Sequence, residues 1–475
     1  MKPTLPPAAV VAAALALIFS APQVAAAADA GWGEERAMPP PISFADAARL
    51  SLAELAARGR RLFLAKFTAA EGAGRPGATG AIVPTKAEET GLPTFFRTAG
   101  PDSNACRGCH NDPEPGGAGD FVANAFVSEG FSDADFDTVD PQFSNERGTP
   151  ALNGSGFVEL LAREITAELR AQRRAAAAKA RTSGRKLRIA LSAKKISFGH
   201  LTLHPDGFMD VSELEGIDQD LVVRPFSQKG VFTSLRQFTI NALNAHHGLQ
   251  AVERFGARHT GSADFDKDGV ADEIGAGNIT ALVVFQALLP PPIAALPQDE
   301  AARAAAARGR ALFSEIGCAS CHMPALPLES AVFTEPGPYN PAGNLRRREV
   351  KAPLAFPLNA KGLGRDEAGR ILVPVFSDFK RHVIADANKP HFANELLAQR
   401  FVNRDVFLTA RLWGVGDTAP YGHRGDLTTL RGAIMHHGGE AAAAQKAFEA
   451  LEADDQRRII AFLQSLKLAG AGGSP

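Results

Sequence analysis

Two short stretches hold all four cysteines of this 475-residue chain, and each stretch ends in a histidine. They are formed by Cys106, Cys109 and His110 in the first and by Cys318, Cys321 and His322 in the second. Two thiols spaced C-x-x-C can add to the vinyl groups of a haem, and the adjoining histidine can bind its iron. A single C-x-x-C could instead be a thioredoxin-like dithiol or half of a zinc site. Two copies, each followed by histidine and with no cysteine left over, predict two covalently bound c-type haems.

The N-terminus predicts export to an oxidising compartment. Lys2 is the only charged residue before Asp29, residues 8–19 are apolar, and small residues at 25–28 suit a cleavage site. We therefore predict a signal peptide over residues 1–28 and a soluble, periplasmic protein with no membrane attachment after cleavage. Retention of the apolar run as an N-terminal anchor is the alternative. Export also agrees with the lack of any stray cysteine.

The overall charge excludes one class of partner. The chain has 51 lysine and arginine residues against 52 aspartate and glutamate residues. Proteins that bind nucleic acid usually carry a clear basic excess. We therefore expect no nucleic-acid partner.

An internal repeat predicts two domains. Residues 57–63 read ARGRRLF and residues 307–313 read ARGRALF. Each copy ends an amphipathic, alanine-rich pattern that leads into a C-x-x-C-H, as the first helix of a cytochrome c domain does. Chance similarity of two alanine- and arginine-rich helices is the alternative. With a proline-rich linker at 289–297, the pattern predicts an N-terminal domain over residues 45–288 and a C-terminal domain over residues 298–470.

Two features frame the second copy of the repeat. Gln298, Asp299 and Glu300 provide a capping signal ahead of its helix. Residues 454–467, near the end of the chain, show an amphipathic pattern. We expect this last helix to pack against the helix of the second copy.

A long helical pattern begins at Phe157 and keeps apolar residues on one face as far as Leu169. Ten lysine and arginine residues and no acid follow between Arg170 and Lys195. This basic stretch is either a solvated surface or a docking patch for an acidic electron donor, which would steer association at low salt. Alternating apolar residues over residues 185–204 predict a small β-hairpin within it.

An acidic loop follows the spacing of an EF-hand. Aspartates occupy positions 1, 3, 5 and 9 of the loop, as Asp264, Asp266, Asp268 and Asp272. Gly275 replaces the bidentate glutamate of position 12, and Glu273 lies at position 10 instead. The loop is a candidate calcium site, and an acidic surface turn is the alternative.

Two segments carry a family resemblance. Residues 408–440 read LTARLWGVGDTAPYGHRGDLTTLRGAIMHHGGE, and residues 261–287 surround the acidic loop. They resemble the bacterial di-haem cytochrome c peroxidase superfamily, in its di-haem oxidoreductase or thiol oxidoreductase-like branch. His423 matches the middle histidine of the first segment, but Arg424 replaces its usual aspartate. The resemblance covers about residues 50–470.

The resemblance implies a mostly α fold of two cytochrome c-like domains, with long loops, a small β-hairpin insertion and the haems at the interface. It implies a peroxidase-like oxidoreductase in which hydrogen peroxide reacts at the N-terminal haem and the C-terminal haem relays electrons. A small redox protein or a cytochrome would be the electron donor. A non-catalytic di-haem electron carrier and the peroxide-driven oxidation of a protein or a thiol are the alternatives.

The resemblance also suggests a second ligand for the His322 iron. Met323, Met435, His436 and His437 are the candidates. Met323 adjoins His322 and cannot reach the opposite face of the haem. In the family the ligand lies fourteen residues after the position of His423, which selects His437. The alternative for His437 is a helix-end histidine bonded to backbone.

For the His110 iron the sequence selects no second ligand. His246 and His247 are candidates, and each could equally be a packed or surface histidine. Glu159 follows the family-like turn residues Thr149, Pro150 and Asn153, and a buried carboxylate there could move a proton between the two peroxide oxygens. We expect burial to favour its protonated form. The alternative is a glutamate that interacts with the helix dipole.

Overall fold

The computed structural model describes residues 35–74, 95–96, 103–119, 122–123, 127–128, 147–395 and 398–468. The predicted signal peptide over residues 1–28 lies outside these ranges. The described residues from Arg36 onward form one compact unit. Across the described ranges, no helix is both long enough and apolar enough to cross a lipid bilayer.

More of the described residues lie in helices than in strands, and the two cytochrome c-like domains stay a prediction. The longest is α3, and most of the others are short and joined by loops rich in glycine and proline. The α-helices are α1 (Phe44–Ala47), α2 (Leu52–Leu64), α3 (Ser155–Ser183), α4 (Leu235–Ala242), α5 (Val252–Phe255), α6 (Ala257–Thr260), α7 (Ala276–Leu288), α8 (Glu300–Glu315), α9 (Pro390–Ala393), α10 (Leu430–Met435), α11 (Ala442–Glu449) and α12 (Ala453–Gln464).

The strands form small antiparallel sheets of two or three strands. They are β1 (Phe95–Phe96), β2 (Val122–Ala123), β3 (Val127–Ser128), β4 (Arg147–Gly148), β5 (Leu187–Ala193), β6 (Ile196–Leu203), β7 (Met209–Asp210), β8 (Ile293–Ala294), β9 (Leu326–Leu328), β10 (Val332–Glu335), β11 (Leu354–Pro357), β12 (Gly364–Arg365), β13 (Ile371–Val373), β14 (Arg381–Val383), β15 (Val406–Leu408) and β16 (Leu466–Lys467). The predicted hairpin is present as β5 and β6, extended by β7.

The sequence repeat corresponds to a repeated helix crossing. Helix α2 packs against α7, and α8 packs against α12 as predicted. At each crossing a glycine of the repeat touches the other helix: a Cβ added to Gly59 would lie 2.0 Å from the carbonyl oxygen of Ala281, and one added to Gly309 would lie 1.9 Å from that of Arg458. No side chain fits there, so glycine lets the two backbones approach. The match at atomic level argues against chance similarity of the two segments.

Capping residues define where both repeat helices begin. Ser51 caps α2 through a capping box with Glu54. Asp299 caps α8, where its Oδ2 accepts a hydrogen bond of 2.6 Å from the backbone N–H of Ala302. Each cap satisfies a backbone donor that the helix itself leaves without a partner.

The proline-rich segment at 289–297 makes backbone hydrogen bonds near its centre. β8 pairs with β16 near the C-terminus, and the N–H of Ala295 donates to the carbonyl of Ser465 at 2.8 Å. The division into domains over residues 45–288 and 298–470 stays a prediction.

Helix α3 buries the apolar face that the sequence indicated. Phe157, Leu161, Ile165 and Leu169 are each at most 1% exposed. The helix then continues through the basic stretch to Ser183 and leads into the hairpin. The first part of the basic stretch therefore lies on the C-terminal half of α3.

Candidate haem-binding sites

The two C-x-x-C-H motifs adopt the same local structure. Each begins with a single 3₁₀ turn, Cys106–Gly108 in the first and Cys318–Ser320 in the second. Each histidine ring lies beside the phenylalanine that ends its repeat: the ring centroids are 6.2 Å apart for Phe63 and His110 and 6.3 Å apart for Phe313 and His322. The repeat helices thus position the two histidines in equivalent ways.

The ring of His322 is held for metal binding through Nε2. Its Nδ1 lies 3.2 Å from the carbonyl oxygen of Phe376 and 3.1 Å from that of Ala410. Carbonyl acceptors select the tautomer with the proton on Nδ1, which leaves the Nε2 lone pair for a metal. Burial, aided by His437, lowers the pKa of His322 to about 4. The ring is therefore neutral at pH 7, as a metal ligand must be.

His437 lies opposite His322 at a distance that fits one shared metal ion. The two ring centroids are 6.4 Å apart. A metal–imidazole bond is about 2 Å, so two rings that bind one ion from opposite sides have centroids about 6 to 6.5 Å apart. Nδ1 of His437 lies 2.8 Å from the carbonyl oxygen of Ala433, which again leaves Nε2 for the metal. Burial lowers the pKa of His437 below its ordinary value.

The other candidates for this position are engaged elsewhere. The sulfur of Met435 accepts a hydrogen bond of 3.6 Å from Gln445. Nδ1 of His436 lies 2.8 Å from the carbonyl oxygen of Gly432, and its ring packs edge-on against His391 at 4.4 Å. Thr429 sets this register, because it caps α10 with a hydrogen bond from Gly432.

His423 lies near the same site, with Phe392 between it and His437. The centroid of Phe392 is 6.4 Å from that of His423 and 5.4 Å from that of His437. Both ring nitrogens of His423 are buried and have no hydrogen-bond partner in the described part of the chain. Burial, with Arg147, Lys229 and Arg424, lowers the pKa of His423 to about 2. A buried ring with two unsatisfied nitrogens among cations fits a site whose polar, anionic partner is a bound cofactor.

His110 has a less complete environment. Burial lowers the pKa of His110 to about 4. The backbone of Gly117 opposes this shift, and the nearby His246 adds to it. The aromatic ring in contact with His110 among the described residues is that of Phe63. No described histidine lies opposite His110 in the way that His437 lies opposite His322.

His246 and His247, the two candidate ligands of the N-terminal site, have different neighbours. Both lie on a π-helical turn, Leu243–His247, a distortion often found at functional sites. His247 faces the thiol side: its Nε2 is 3.6 Å from Sγ of Cys106 and its Nδ1 is 2.5 Å from the carbonyl oxygen of Ser103. His246 lies close enough to His110 to lower the pKa of that ring.

Glu159 has an ionic partner that the sequence analysis did not consider. Its Oε1 accepts hydrogen bonds of 3.0 and 2.5 Å from Arg163, and its Oε2 accepts one of 2.7 Å from the N–H of Leu235. Glu159 is 1% exposed, and Arg163 lies one turn further along α3. The adjacent guanidinium supplies a counter-charge that the sequence analysis did not take into account. The catalytic role of Glu159 stays a prediction, while these contacts give it a structural one.

The acidic loop brings three of its four aspartates together. Ligand oxygens of Asp264, Asp266 and Asp268 lie within 4.8 Å of one another. Neither Asp272 nor Glu273 is part of this group, but the three aspartates act on Glu273: burial and then these aspartates raise its pKa to about 10. Burial, with Asp268 and Asp264, also raises the pKa of Asp266 to about 6. Buried oxygens on Asp264 and Asp266 have no hydrogen-bond donor among the described residues.

A short series of contacts connects the segment that carries His110 with the segment that carries His322. The central contact of this series is between Trp413 and Gly154. The indole ring packs so closely on Gly154 that a Cβ added to this glycine would lie 1.9 Å from Cζ2 of Trp413. The other links are the hydrogen bonds from Gly116 to the His110 carbonyl (3.0 Å), from Leu152 to the Gly116 carbonyl (2.9 Å), and between His322 and the Ala410 carbonyl (3.1 Å).

Sequence reasoning missed His382, which lies beside the C-terminal motif. Its Nε2 is 2.9 Å from Oδ2 of Asp378 and its Nδ1 is 2.7 Å from Oε2 of Glu440. Burial alone would lower the pKa of His382, but hydrogen bonds to Asp378, Cys321 and Glu440 raise it to about 11. A lone histidine in a short strand gives no local signal. The glutamate of the HGGE sequence, Glu440, was the one visible clue.

Comparison with known proteins supports the resemblance. The sequence model of the family described as "Di-haem oxidoreductase, putative peroxidase" matches residues 394–466, a segment that includes His423 and His437. The predicted resemblance is thereby confirmed for this segment of the chain. No curated protein is similar enough in sequence to count as a relative.

Two solved structures are similar to this chain at low identity and low TM-score. Hydrazine synthase of Kuenenia stuttgartiensis is 11% identical, with a TM-score of 0.38 over 98% of this chain and 100% of that one. A MauG-like protein associated with microbial copper homeostasis is 16% identical, with a TM-score of 0.28 over 67% of this chain and 90% of that one. Both scores are too low to establish a shared architecture.

Proposed function

We propose that this chain, whose residues 394–466 belong to the di-haem oxidoreductase family, is an exported peroxidase-like enzyme with two covalent c-type haems. Peroxide would react on the His110 side, and electrons would arrive through the His322 side. The coarser description, a haem-dependent oxidoreductase, agrees with the family.

The difference between the two histidine sites is the observation that carries the proposal. His322 already has a facing ring, His437, at a spacing that fits one metal ion. His110 has no such partner among the described residues. When bound, a haem at His110 would offer an iron with a position for peroxide, while one between His322 and His437 would exchange electrons without binding substrate.

The chain's own residues support this division. Carbonyls of Phe376 and Ala410 fix the tautomer of His322, so the ring cannot turn away from its metal. The close packing of Trp413 on Gly154 holds the two histidine loops in one arrangement. His246 lies on the π-helical turn close enough to His110 to lower the pKa of that ring. We assign to His246 the handling of the peroxide proton.

A spectrum of the ferric protein with and without peroxide tests the function. We expect two haems per chain that stay attached in acid acetone, one high-spin and one low-spin, and we expect peroxide to alter the high-spin component. His246→Gln should slow that reaction by about a hundredfold. His204→Gln, a histidine of the hairpin region, serves as the control.

Two results would replace the proposal. If both irons are low-spin and ignore peroxide, the chain is a di-haem electron carrier. If peroxide reacts but no small reductant or redox protein restores the spectrum, oxidation of a protein or a thiol is the better description.

We also propose that calcium binds the acidic loop, through Asp264, Asp266, Asp268 and Glu273. Removing calcium with a chelator should lower the melting temperature, because a ligand that binds only the folded state stabilises it. Without calcium the stability should fall further as the pH rises from about 4 to about 6. An acid whose folded-state pKa is raised stabilises the fold below its ordinary pKa and loses that effect through the raised value.

Variants of the loop provide the control for this prediction. Asp266→Ala should abolish both the calcium content measured by atomic emission and the effect of the chelator. Glu367→Ala, in an exposed acidic turn elsewhere, should change neither. An unchanged melting temperature in Asp266→Ala would mean that the loop is an acidic surface turn.

A further inference from the structure

A surface cavity of about 440 Å³ opens beside the C-terminal haem motif. Its walls come from residues 214–218, which follow the hairpin insertion, from β14 and from residues 401–403. His382 and Glu440 also line it. The volume lies within the range of sites that receive a ligand or a side chain of a partner.

The cavity reaches the haem-attachment cysteine through one side chain. His382 lines the cavity and also lies against Cys321: polar atoms of Cys321, Asp378 and His382 are within 4.8 Å of one another. A molecule seated in the cavity is therefore separated from the edge of a haem on Cys321 by a single imidazole. That arrangement suits the exchange of electrons at this edge.

Phe401 stands fully exposed at the rim. Its relative exposure is 102%, the highest of the large apolar side chains in the described ranges. It sits in a two-residue turn closed by hydrogen bonds between Gln399 and Val402, with positive φ at both Arg400 and Phe401. A bulky residue rarely adopts this conformation. Here the turn holds an aromatic ring in water next to the cavity, where it can serve as an anchor for a partner.

Among the charged side chains that line the cavity, the carboxylates are more exposed than the cations. Three ion pairs line it: Lys380 with Glu215, Arg381 with Asp218, and His382 with Glu440. The carboxylate side chains are 40% to 60% exposed, whereas their cationic partners are only 10% to 12% exposed. An approaching molecule therefore meets carboxylates first. A basic partner surface is complementary to them.

We propose that this cavity, with Phe401 and its three exposed carboxylates, is the docking site of a small basic electron-transfer protein. The proposal rests on the proposed function only in requiring a haem on Cys321. Each encounter would move one electron from the ferrous iron of one protein to the ferric iron of the other. No bond is made or broken, and no proton needs to move.

The basic stretch on α3 is the competing surface, and it selects the opposite partner. Two of its cations are already neutralised, since Arg188 pairs with Glu213 and Lys194 pairs with Glu164. The stretch contains no acid, so what remains would attract an acidic protein. The ion pairs of this stretch in the described part of the chain are with Glu164, Glu168 and Glu213, none of which lines the cavity. The two surfaces therefore predict electron partners of opposite charge.

The experiment uses the intact di-haem protein and a basic mitochondrial-type cytochrome c as the probe. The di-haem protein is reduced with dithionite and mixed rapidly with ferric cytochrome, without peroxide, and binding is measured separately by calorimetry. We expect the second-order rate constant to fall steeply between about 10 mM and about 150 mM salt. Succinylating the lysines of the probe, which reverses its charge, should remove both fast transfer and binding.

Variants of the rim test the site itself. Phe401→Ser should weaken binding and slow transfer by about tenfold or more, since an aromatic anchor carries a large share of interface energy. Glu215→Gln should slow transfer several-fold at low salt only. Phe208→Ser, an exposed phenylalanine outside the cavity, and Arg174→Glu on the basic stretch should have no effect.

Other outcomes overturn the proposal. If Phe401→Ser matches the parent in rate and affinity, the cavity is not the docking site. If Arg174→Glu slows transfer and the succinylated probe reacts faster, the basic stretch docks an acidic donor instead. Because peroxide is absent, a chain that fails as a peroxidase can still pass this test, and failure here leaves the peroxidase proposal untouched.

Discussion

His437→Gly should convert the C-terminal haem from low-spin to high-spin, while leaving the number of haems per chain unchanged. The ring of His437 lies 6.4 Å from that of His322, and removing it would leave the iron with one protein ligand. His437→Met should instead keep the haem low-spin and raise its reduction potential, because thioether ligation favours the ferrous state more than a second imidazole does. Optical and electron paramagnetic resonance spectra report the spin state, and a redox titration reports the potential.

The neighbouring residues supply matched controls. His436→Gly should leave the spectrum intact, because that ring packs on His391, whereas the ring of His437 packs on His322. If His437→Gly leaves the spectrum unchanged while Met435→Leu disturbs it, then Met435 is the ligand. The register set by Thr429 would in that case be wrong by two residues.

Glu159→Gln should destabilise the fold by about 3–5 kcal/mol, since it leaves the guanidinium of Arg163 buried without its counter-charge. The variant also weakens the acceptor for the N–H of Leu235 at the start of α4. Urea unfolding measures the loss. Glu168→Gln, on the exposed side of the same helix, should cost less than about 1 kcal/mol.

The same variant decides between the two roles of Glu159. If the role of Glu159 is structural, folded Glu159→Gln protein should consume peroxide at a rate close to that of the parent, because both carboxylate oxygens already have protein partners. A drop of about a hundredfold or more in that rate, with stability unchanged, would establish the catalytic role that the sequence suggested.

Local patterns were sufficient for some parts of this molecule. The spacing of cysteine and histidine is a property of five consecutive residues, so it predicts the haem motifs without any knowledge of the fold. The repeat at 57–63 and 307–313 predicted two equivalent helices, since glycine, leucine and phenylalanine recur at the same helical positions. The hairpin β5–β6 and the packing of α12 on α8 followed from periodicity in the same way.

One part of the site was visible in the sequence and was overlooked. Arg163 lies four residues after Glu159, a spacing that places the two side chains on one helix face. The helix α7 was likewise not recognised as the partner of the first repeat helix. Its even burial gives it little amphipathic character, because it is covered on nearly all sides.

Only the tertiary structure decided which residues face each other across the chain. Met435, His436 and His437 are consecutive candidates, and only the position of α10 relative to the His322 loop separates them. Asp272 lies outside the group formed by Asp264, Asp266 and Asp268, and the burial of Glu273 depends on what packs over it. His382 and Cys321 lie 61 positions apart in sequence and meet only through folding. The sequence by itself thus determined which chemical groups the protein carries, since attachment motifs and helical periods are local. The fold decided how those groups are combined, since contacts between distant segments depend on the packing of the whole chain.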